Sequence, residues 1–198
     1  MKKVIRLSRD FDITKDSYGG SQMWLPLRRD VRTGCGPVAL ANLYAWHSGL
    51  NLSKDEMNQL TMEVLRSLNG PVIHPLPFIL GARRLFTRRG FDLKATYILT
   101  LAMTKNKQQQ ILQLIQEALA EDRPVPLLMG PNRKKDSYRS EFGNHWVLIT
   151  GLILDSDRIT LEVSSWGQAM TIDFEHLTKS KRMLAAVSLT PVKRALKS

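Results

Sequence analysis

The order of helix-like and strand-like segments constrains the fold of this chain more than any other feature of its sequence. After Pro124 the chain contains five short apolar segments, separated by turn residues, that predict β-strands. They are PVPLLMG, HWVLITGLIL, RITLEVSSW, AMTIDF and MLAAVSLT. The segments before Pro124 have mostly helical periodicity. Helices followed by a run of strands predict an α+β fold with an antiparallel sheet, and they argue against a doubly wound parallel sheet.

The helical part opens with two adjacent patterns. A helix is predicted from about Pro37 to His47, because apolar residues recur there at helical spacing. A second is predicted in SKDEMNQLTMEVLRSL, where Ser53 and Glu56 can form a capping box and Asn69-Gly70 gives a stop signal. These two helices would precede every strand of the predicted sheet.

Three further segments lie before Pro124. A helix is predicted in PFILGARRLFTRRG, although the glycine inside it is unfavourable for a helix, and a short strand is predicted in FDLKATYIL. The clearest amphipathic helix lies in NKQQQILQLIQEALAED. Its predicted buried stripe consists of Ile111, Leu114, Ile115, Ala118 and Leu119.

The chain is predicted to form one domain over 1–198, with a helical part over about 35–121 and a sheet part over about 124–190. Its 198 residues suffice for one substantial core, and no apolar run approaches the roughly 18 residues of a membrane span. The N-terminus begins with positive charge, but Arg6, Arg9 and Asp10 interrupt any signal-peptide core. One cysteine excludes an intrachain disulfide, so we expect a reducing, cytoplasmic location.

The formal net charge of +11 raises the question of an anionic partner. The basic residues lie in short clusters: Arg28, Arg29 and Arg32; Arg83, Arg84, Arg88 and Arg89; Arg133, Lys134, Lys135 and Arg139; Lys179, Lys181 and Arg182; Lys193, Arg194 and Lys197. No nucleic-acid-binding motif accompanies them, so we expect solvated faces and no sequence-specific nucleic-acid partner. An acidic substrate stays open as an alternative.

The lone cysteine has an unusual local sequence, DVRTGCGPVALANLYAW. Such a residue is usually a small buried hydrophobe. Here Gly34 and Gly36 would let the backbone turn sharply and a substrate approach closely, and Pro37 suits the first turn of a helix. Cys35 would then lie at a helix N-terminus, which favours thiolate over thiol. Its backbone N–H would point to the oxyanion that forms when sulfur attacks a carbonyl.

A nucleophilic thiol works best with an imidazole within hydrogen-bond reach. Of the four histidines, His145 is favoured because it begins an apolar strand after a Gly-Asn turn, so a rigid sheet could present it to the helix. His47 is predicted to be a packed core residue and His176 to be exposed, and His74 has no obvious partner. The long polar loop before His145, PNRKKDSYRSEFGN, would border the substrate.

The motifs TGCGPVALANLYAW and GNHWVLITGL together resemble those of papain-like cysteine peptidases. The similarity is greatest to the bacteriocin-processing, double-glycine type of peptidase domain and its stand-alone bacterial relatives. It covers Cys35 to about Gly167 and rests on two short motifs. The resemblance implies a papain-like α+β fold with Cys35 as nucleophile and His145 as base.

The resemblance also implies an Asp or Asn on the next strand that orients the imidazole. The segment LEVSSWGQ resembles the Asn-Ser-Trp-Gly of papain, with Ser164 at the Asn position and Trp166 placed to cover the imidazole hydrogen bond. A serine oxygen could accept the Nδ1–H bond, but it would hold the ring less firmly than an amide or carboxylate. Asp155 or Asp157 is a weaker alternative, because a hairpin tip lies far from the start of the strand.

An oxyanion-hole glutamine is expected shortly before the cysteine in this family. Gln22 is the only upstream glutamine, and it lies thirteen positions away, farther than the family's usual spacing. It is either an oxyanion donor or an ordinary surface residue, and the sequence leaves both open. Gln22, Gly34, Gly36 and Trp166 are therefore the candidate oxyanion and substrate-binding residues.

The sequence supports a thiol hydrolase that acts through Cys35, His145 and Ser164 on a peptide or other acyl substrate. Two alternatives stay open: a papain-like acyltransferase, and a catalytically impaired binding module that uses its basic surface for an anionic partner. No metal-ligand spacing, phosphate loop or dinucleotide motif is present, so no cofactor or metal is expected. The oligomeric state and the physiological substrate are not predicted.

Overall fold

A computed structural model describes residues 2–68, 71–131, 143–179 and 182–194 of the chain. Within these ranges the chain forms six α-helices and seven β-strands. The helices are α1 (Arg28–Thr33), α2 (Cys35–His47), α3 (Lys54–Leu68), α4 (Pro75–Arg88), α5 (Lys105–Ala120) and α6 (Phe174–Lys179). The strands are β1 (Lys3–Arg6), β2 (Phe91–Thr100), β3 (Val125–Met129), β4 (His145–Asp155), β5 (Arg158–Ser165), β6 (Gln168–Asp173) and β7 (Leu184–Lys193).

All seven strands belong to one antiparallel sheet. The order is β2-β7-β3-β4-β5-β6, and β1 pairs with the second half of β4. The first half of β4 pairs with β3, and β5 pairs along its other edge from Leu148, so β4 has a neighbour on both sides over most of its length. Its residues His145–Leu152 are buried as a result. At the start of the strand, His145 pairs with Met129 of β3, which fixes its place in the sheet.

Helix α2 lies at the centre of the molecule, between β4 and the helices α3 and α4. Every residue from Gly36 to Trp46 is buried, so the helix has no solvated face along this stretch. A helix that is surrounded by protein needs apolar or small residues on all sides, which explains the composition of GPVALANLYAW. Cys35 begins this helix, and its side chain is only partly exposed.

The structure confirms the predicted α+β fold and its strongest local patterns. Ser53 and Glu56 form the capping box: the Glu56 carboxylate accepts the Ser53 N–H at 2.7 Å, and the Ser53 hydroxyl oxygen accepts the Glu56 N–H at 3.3 Å. The five residues of the predicted stripe are the buried residues of α5. Strands lie in all six segments that predicted them.

Three elements were missed by the sequence analysis: β1, α1 and α6 are four to six residues long. Short elements carry too few residues to show a periodicity, so the packing of their neighbours decides them. Strands β1 and β2 also lie outside the predicted sheet part. The stop signal Asn69-Gly70 and residues 132–142 of the polar loop lie outside the described residues.

The glycine inside α4 has a packing reason. A Cβ on Gly81 would collide with the side chain of buried Leu68 from α3, so the close approach of these two helices needs a glycine there. This approach outweighs the cost of about 1 kcal/mol that glycine carries in a helix. Among the described residues, no helix is both long enough and apolar enough to cross a bilayer.

Candidate active site

The two glycines beside the thiol are helical, and neither adopts a left-handed conformation. Gly34 is the single turn residue between α1 and α2, and Gly36 lies within α2. Both positions allow other parts of the protein to come close. A Cβ on Gly34 would lie 2.6 Å from Leu25 Cδ1 and 2.7 Å from the Asp30 carbonyl oxygen, and one on Gly36 would lie 3.1 Å from Val72 Cβ.

The sulfur of Cys35 lies against the start of strand β4. Its Sγ donates to the carbonyl oxygen of Asn144 at 3.8 Å, and the backbone N–H groups of Trp146, Gly36 and Cys35 itself interact with it. Burial raises the pKa of the thiol, and these three N–H groups oppose the rise only in part. The helix N-terminus was expected to favour the thiolate. Burial outweighs that effect, so the neutral thiol is favoured.

His145 lies at the other side of this site, at the start of β4 after the turn at Gly143 and Asn144. Its Nε2 lies 2.8 Å from Ser165 Oγ, and its ring stacks on Trp166 with the centroids 4.4 Å apart. Only 6% of its surface is exposed, and this burial lowers its pKa to about 4. The imidazole is therefore neutral at pH 7.

Trp166 reaches the histidine from a strained turn. Trp166 and Gly167 have φ angles of 51° and 77°, as in the tight turn that joins β5 to β6 through the pair Ser165 and Gln168. A bulky residue rarely adopts a left-handed φ, and such a conformation costs of order 1–3 kcal/mol. Stacking on the His145 ring helps to offset that cost.

The predicted contact between Ser164 and His145 is wrong, because Ser165 makes it instead. Near the hairpin tip the two strands pair with Gly151 opposite Glu162, but beyond a bulge Ile149 lies opposite Val163. The residue inserted in β4 is Thr150, and it shifts the register by one position. Side chains alternate between the two faces of a sheet, so this shift exchanges the faces of the two serines relative to His145.

Ser164 has a different partner. Its hydroxyl donates to the carbonyl oxygen of Tyr18 at 2.6 Å, and only 2% of the residue is exposed. It therefore binds the N-terminal segment of the chain rather than the histidine. Asp155 and Asp157 are at the β4–β5 hairpin tip, at the opposite end of β4 from His145, as expected.

Gln22 lies beside the cysteine despite its distance in sequence. It begins a 3₁₀ turn over Gln22–Trp24, and its Cβ is 3.1 Å from the position that a Cβ on Gly34 would occupy. Its Nε2 donates to the carbonyl oxygen of Val31 at 2.8 Å. An amide nitrogen carries two hydrogens, so the side chain is anchored and retains one N–H for a further acceptor.

These groups lie around one small pocket. It is lined by Gln22, Cys35, Asn42, His145, Ser164, Ser165 and Trp166, among others. Its volume is about 10 Å³, which is close to the minimum for a single water molecule. A larger cavity of about 690 Å³ lies between Arg6, Phe11, Tyr18 and Glu162, but no thiol or imidazole lines it. The chemistry of the small pocket makes it the candidate active site.

Comparison with known proteins supports the fold. No protein-family model matches this chain, and no curated protein does. The crystal structure of UfSP from C. elegans, a cysteine protease with a papain-like fold, matches with a TM-score of 0.53 and 10% sequence identity. This chain has a papain-like fold. The match covers 98% of this chain but only 35% of the UfSP chain, so the chain spans about a third of that protein.

The other three histidines lie outside the candidate site. His74 caps α4, since its Nδ1 accepts the Leu76 N–H at 3.2 Å, and His176 is exposed on α6. His47 packs edge-on against Phe86, and its buried Nε2 has no hydrogen-bond partner. No group of three or more histidine, cysteine, aspartate or glutamate residues in the described part of the chain could hold a metal ion.

Several members of the basic clusters form ion pairs at the surface. The pairs are Arg29–Asp30, Arg89–Glu63, Lys179–Glu175 and Arg194–Asp92. Exposed pairs such as the last three contribute about 0–1 kcal/mol each, whereas Asp30 of the first pair is buried. The cluster at 133–139 lies outside the described residues.

Sequence reasoning missed two residues of this site. Ser165 was overlooked because Ser164 was assigned by its place in the papain-like motif, and the bulge in β4 turns Ser165 toward His145 instead. Asn42 was overlooked because it lies within an apolar helix, yet its Oδ1 accepts the Gly20 N–H at 2.8 Å and only 2% of it is exposed. A buried amide in the sequence ALANLYAW was the available signal, since such a side chain needs a hydrogen-bond partner.

Acid is expected to destabilise the protein through two buried histidines. Burial lowers the pKa of both His47 and His145 to about 4, below the ordinary value of about 6.5 in the unfolded chain. Between these pH values the unfolded state binds more protons, so stability falls as the pH falls from 6.5 to 4. We expect each histidine to lower the free energy of unfolding by about 2 kcal/mol between pH 7 and pH 5.

Urea unfolding at these two pH values measures this loss. The matched variant is His47→Leu, which removes one of the two groups and leaves the candidate site intact. Between pH 7 and pH 5, its free energy of unfolding should fall by about 2 kcal/mol less than that of the natural sequence. An identical pH dependence in the two proteins would show that His47 does not titrate as described.

Proposed function

We propose that this protein is a thiol hydrolase of the cysteine-peptidase type. The observation that carries the proposal is the meeting of Cys35 and His145 in one pocket of a papain-like fold, one at the start of a buried helix and the other at the start of a buried strand. Rigid elements on both sides would hold the two groups in a fixed relation, as nucleophilic catalysis requires.

In this proposal the resting pair is neutral. His145 takes the proton from the Cys35 thiol as the sulfur bonds to the substrate carbonyl carbon, whose π electrons move to oxygen. The tetrahedral intermediate collapses, the C–N or C–O bond breaks, and His145 returns the proton to the leaving group. Water then attacks the thioester with His145 again as base, which releases the carboxylic acid and restores the thiol.

The neighbours of this pair have separate roles in the proposal. We assign the Nε2–H of His145 as the donor to Ser165 Oγ, and Nδ1 as the atom that takes the thiol proton. This assignment replaces the Nδ1–H bond that was expected from the sequence. The Cys35 N–H and the second N–H of Gln22 stabilise the oxyanion, and Trp166 keeps water from the Nε2 bond.

The substrate class is part of the same proposal. A peptide or other acyl compound satisfies the reaction, and acidic residues in it would be attracted by the basic surface. Hydrolysis and transfer to an amine differ only in the acceptor, so a papain-like acyltransferase is the second candidate. A reduced thiol is required in both, which agrees with a cytoplasmic location.

A binding module is the contrasting possibility. The small volume of the pocket and the raised pKa of the Cys35 thiol favour it, because both would slow attack on a substrate. In that case the basic surface would hold an anionic partner, and salt would weaken the complex.

Acylation by p-nitrophenyl acetate tests the proposal without knowledge of the natural substrate. We expect a burst of p-nitrophenolate, an acetyl group on Cys35 detected by peptide mass spectrometry, and slow loss of that group by hydrolysis. An acetyl group that leaves only when an amine is added would favour the acyltransferase. A protein that is not acetylated on Cys35 would contradict both enzymes and leave the binding module.

A further inference from the structure

Two residues of the N-terminal segment, Tyr18 and Gly20, are held by three hydrogen bonds to distant parts of the chain. The Tyr18 N–H donates to the Gly167 carbonyl oxygen at 3.0 Å, and Ser164 Oγ donates to the Tyr18 carbonyl oxygen at 2.6 Å. The Gly20 N–H donates to Asn42 Oδ1 at 2.8 Å. Such a density of long-range bonds in a connecting segment indicates that its position matters.

One of these anchors lies in the helix that carries Cys35, and another lies in the strand that contacts His145. Asn42 lies in α2, which begins at Cys35, and Ser164 precedes Ser165 in β5. Both anchors are 2% exposed, so water does not compete for their hydrogen bonds. The segment is therefore fixed to the nucleophile's helix and to the strand that contacts the histidine.

Gly19 shows how closely the segment approaches its anchors. Its φ is +88°, and a Cβ there would lie 2.7 Å from Ser164 Oγ and 2.9 Å from Asn42 Nδ2. Both the backbone conformation and the space require glycine at this position. The hydroxyl of Ser164 and the amide of Asn42 thus hold the backbone of the segment from two sides.

The segment leads directly to Gln22. Ser21 caps the 3₁₀ turn by accepting the Met23 N–H at 3.2 Å, and Gln22 is the first residue of that turn. The bond from Gln22 to the Val31 carbonyl oxygen holds only the end of the side chain. Its backbone follows directly after Tyr18–Gly20, and Asn58 Nδ2 holds the far end of the turn by donating to the Trp24 carbonyl oxygen at 3.1 Å.

We propose that Ser164 and Asn42 are positioning residues that hold the segment Tyr18–Gly20 so that Gln22 lies beside Cys35. Ser164 therefore serves the oxyanion side of the site, and its neighbour Ser165 serves the histidine side. This inference rests on the proposed function. An oxyanion donor acts only when it is placed within about 0.5 Å of its position, so loss of an anchor should weaken it.

Two reagents distinguish a defect on the oxyanion side of the site from a defect on the histidine side. Acylation of Cys35 by p-nitrophenyl acetate passes through an oxyanion, whereas alkylation by iodoacetamide is a displacement at carbon and forms none. A variant that disturbs the oxyanion side should slow only acylation. A variant that disturbs the histidine side should slow both reactions, because both need the thiol proton removed.

The variants are the two adjacent serines and the glutamine. We expect Ser164→Ala to slow acylation about tenfold and Gln22→Ala about a hundredfold, with unchanged alkylation. Ser165→Ala should slow both reactions. The double variant Gln22→Ala/Ser164→Ala should be no slower than Gln22→Ala, because Ser164 acts through Gln22.

Variants of Asn42 and of a distant serine, Ser156, provide the remaining comparisons. Asn42→Ala should slow acylation alone, and Asn42→Asp should recover part of the rate because it keeps an acceptor for Gly20. Ser156→Ala, at the far end of the β4–β5 hairpin, should behave like the natural sequence. Unchanged alkylation in the variants of Gln22, Ser164, Asn42 and Ser156 shows that the fold around Cys35 is intact.

Three results would overturn the inference. Ser164→Ala could slow both reactions equally, or it could leave acylation unchanged. The acylation rate of the double variant could also fall by the product of the two single fold-changes. If the natural sequence is not acylated at all, the proposed function fails and the positioning roles fail with it. If it is acylated and Ser164→Ala behaves normally, only the positioning role fails.

Discussion

Replacing His145 with alanine is expected to lower the rate at which p-nitrophenyl acetate acylates Cys35 by about 10²–10⁴-fold at pH 7. Burial raises the pKa of the thiol, so little thiolate forms unless a base takes the proton. Burial lowers the pKa of His145 to about 4, so its imidazole is neutral and can act as that base. Stopped-flow detection of p-nitrophenolate measures the rate.

The pH dependence of the same reaction tests the neutral pair. Below its pKa the imidazole is protonated and cannot accept the thiol proton, so the rate for the natural sequence should rise through about pH 4 and then stay level to pH 8. Without His145, reaction needs free thiolate, and the rate should climb with pH across the whole range. A rise centred near pH 6.5 in the natural sequence would contradict the burial argument.

An exposed histidine provides the control for this substitution. His176→Ala lies on α6, outside the pocket, and should leave the acylation rate unchanged. An equal loss in both variants would point to a general effect on the fold. Normal acylation in His145→Ala would remove the imidazole from the mechanism.

The second large effect is expected from Cys35→Ala, which should abolish the burst of p-nitrophenolate and the acetylated peptide. Cys35 is the only cysteine in the chain, so no other thiol can replace it. Cys35→Ser is the matched variant, because it keeps a small polar side chain at the start of α2. Its hydroxyl is a much weaker nucleophile than the thiol, so only a small fraction of the rate should remain.

The outcome of this substitution distinguishes the thiol from other nucleophiles. A burst that persists in Cys35→Ala would show that another nucleophilic side chain accepts the acetyl group, which would contradict a role for the thiol. Unfolding curves of the two variants show whether the loss of activity has a structural cause.

Much of the fold followed from local patterns. The capping box of Ser53 and Glu56 and the stripe of α5 involve residues within one or a few helical turns, so neighbours in sequence decide them. Strand β1 and helix α1 were missed because four to six residues show no period. The pairing of β1 with β4 joins residues about 150 positions apart, and no local pattern contains it.

In the candidate site, too, local sequence predicted some features and missed others. Cys35 and His145 each begin a regular element, which their local sequences predicted. The partner of His145 was assigned to Ser164 by similarity to the papain motif, but a single residue inserted at Thr150 places Ser165 on the face of the sheet that His145 shares. A bulge of one residue leaves no clear mark on an apolar strand.

By itself, the sequence determined the α+β order of the elements and placed the thiol and the imidazole at the starts of a helix and a strand. Those features depend on spacing and on turn residues within short windows of sequence. The tertiary structure alone decided that Ser165 contacts His145, that Ser164 contacts Tyr18 and that Gln22 lies beside Cys35. Contacts such as Ser164 with Tyr18 join residues 146 positions apart, and packing and register, which are properties of the whole fold, determine them.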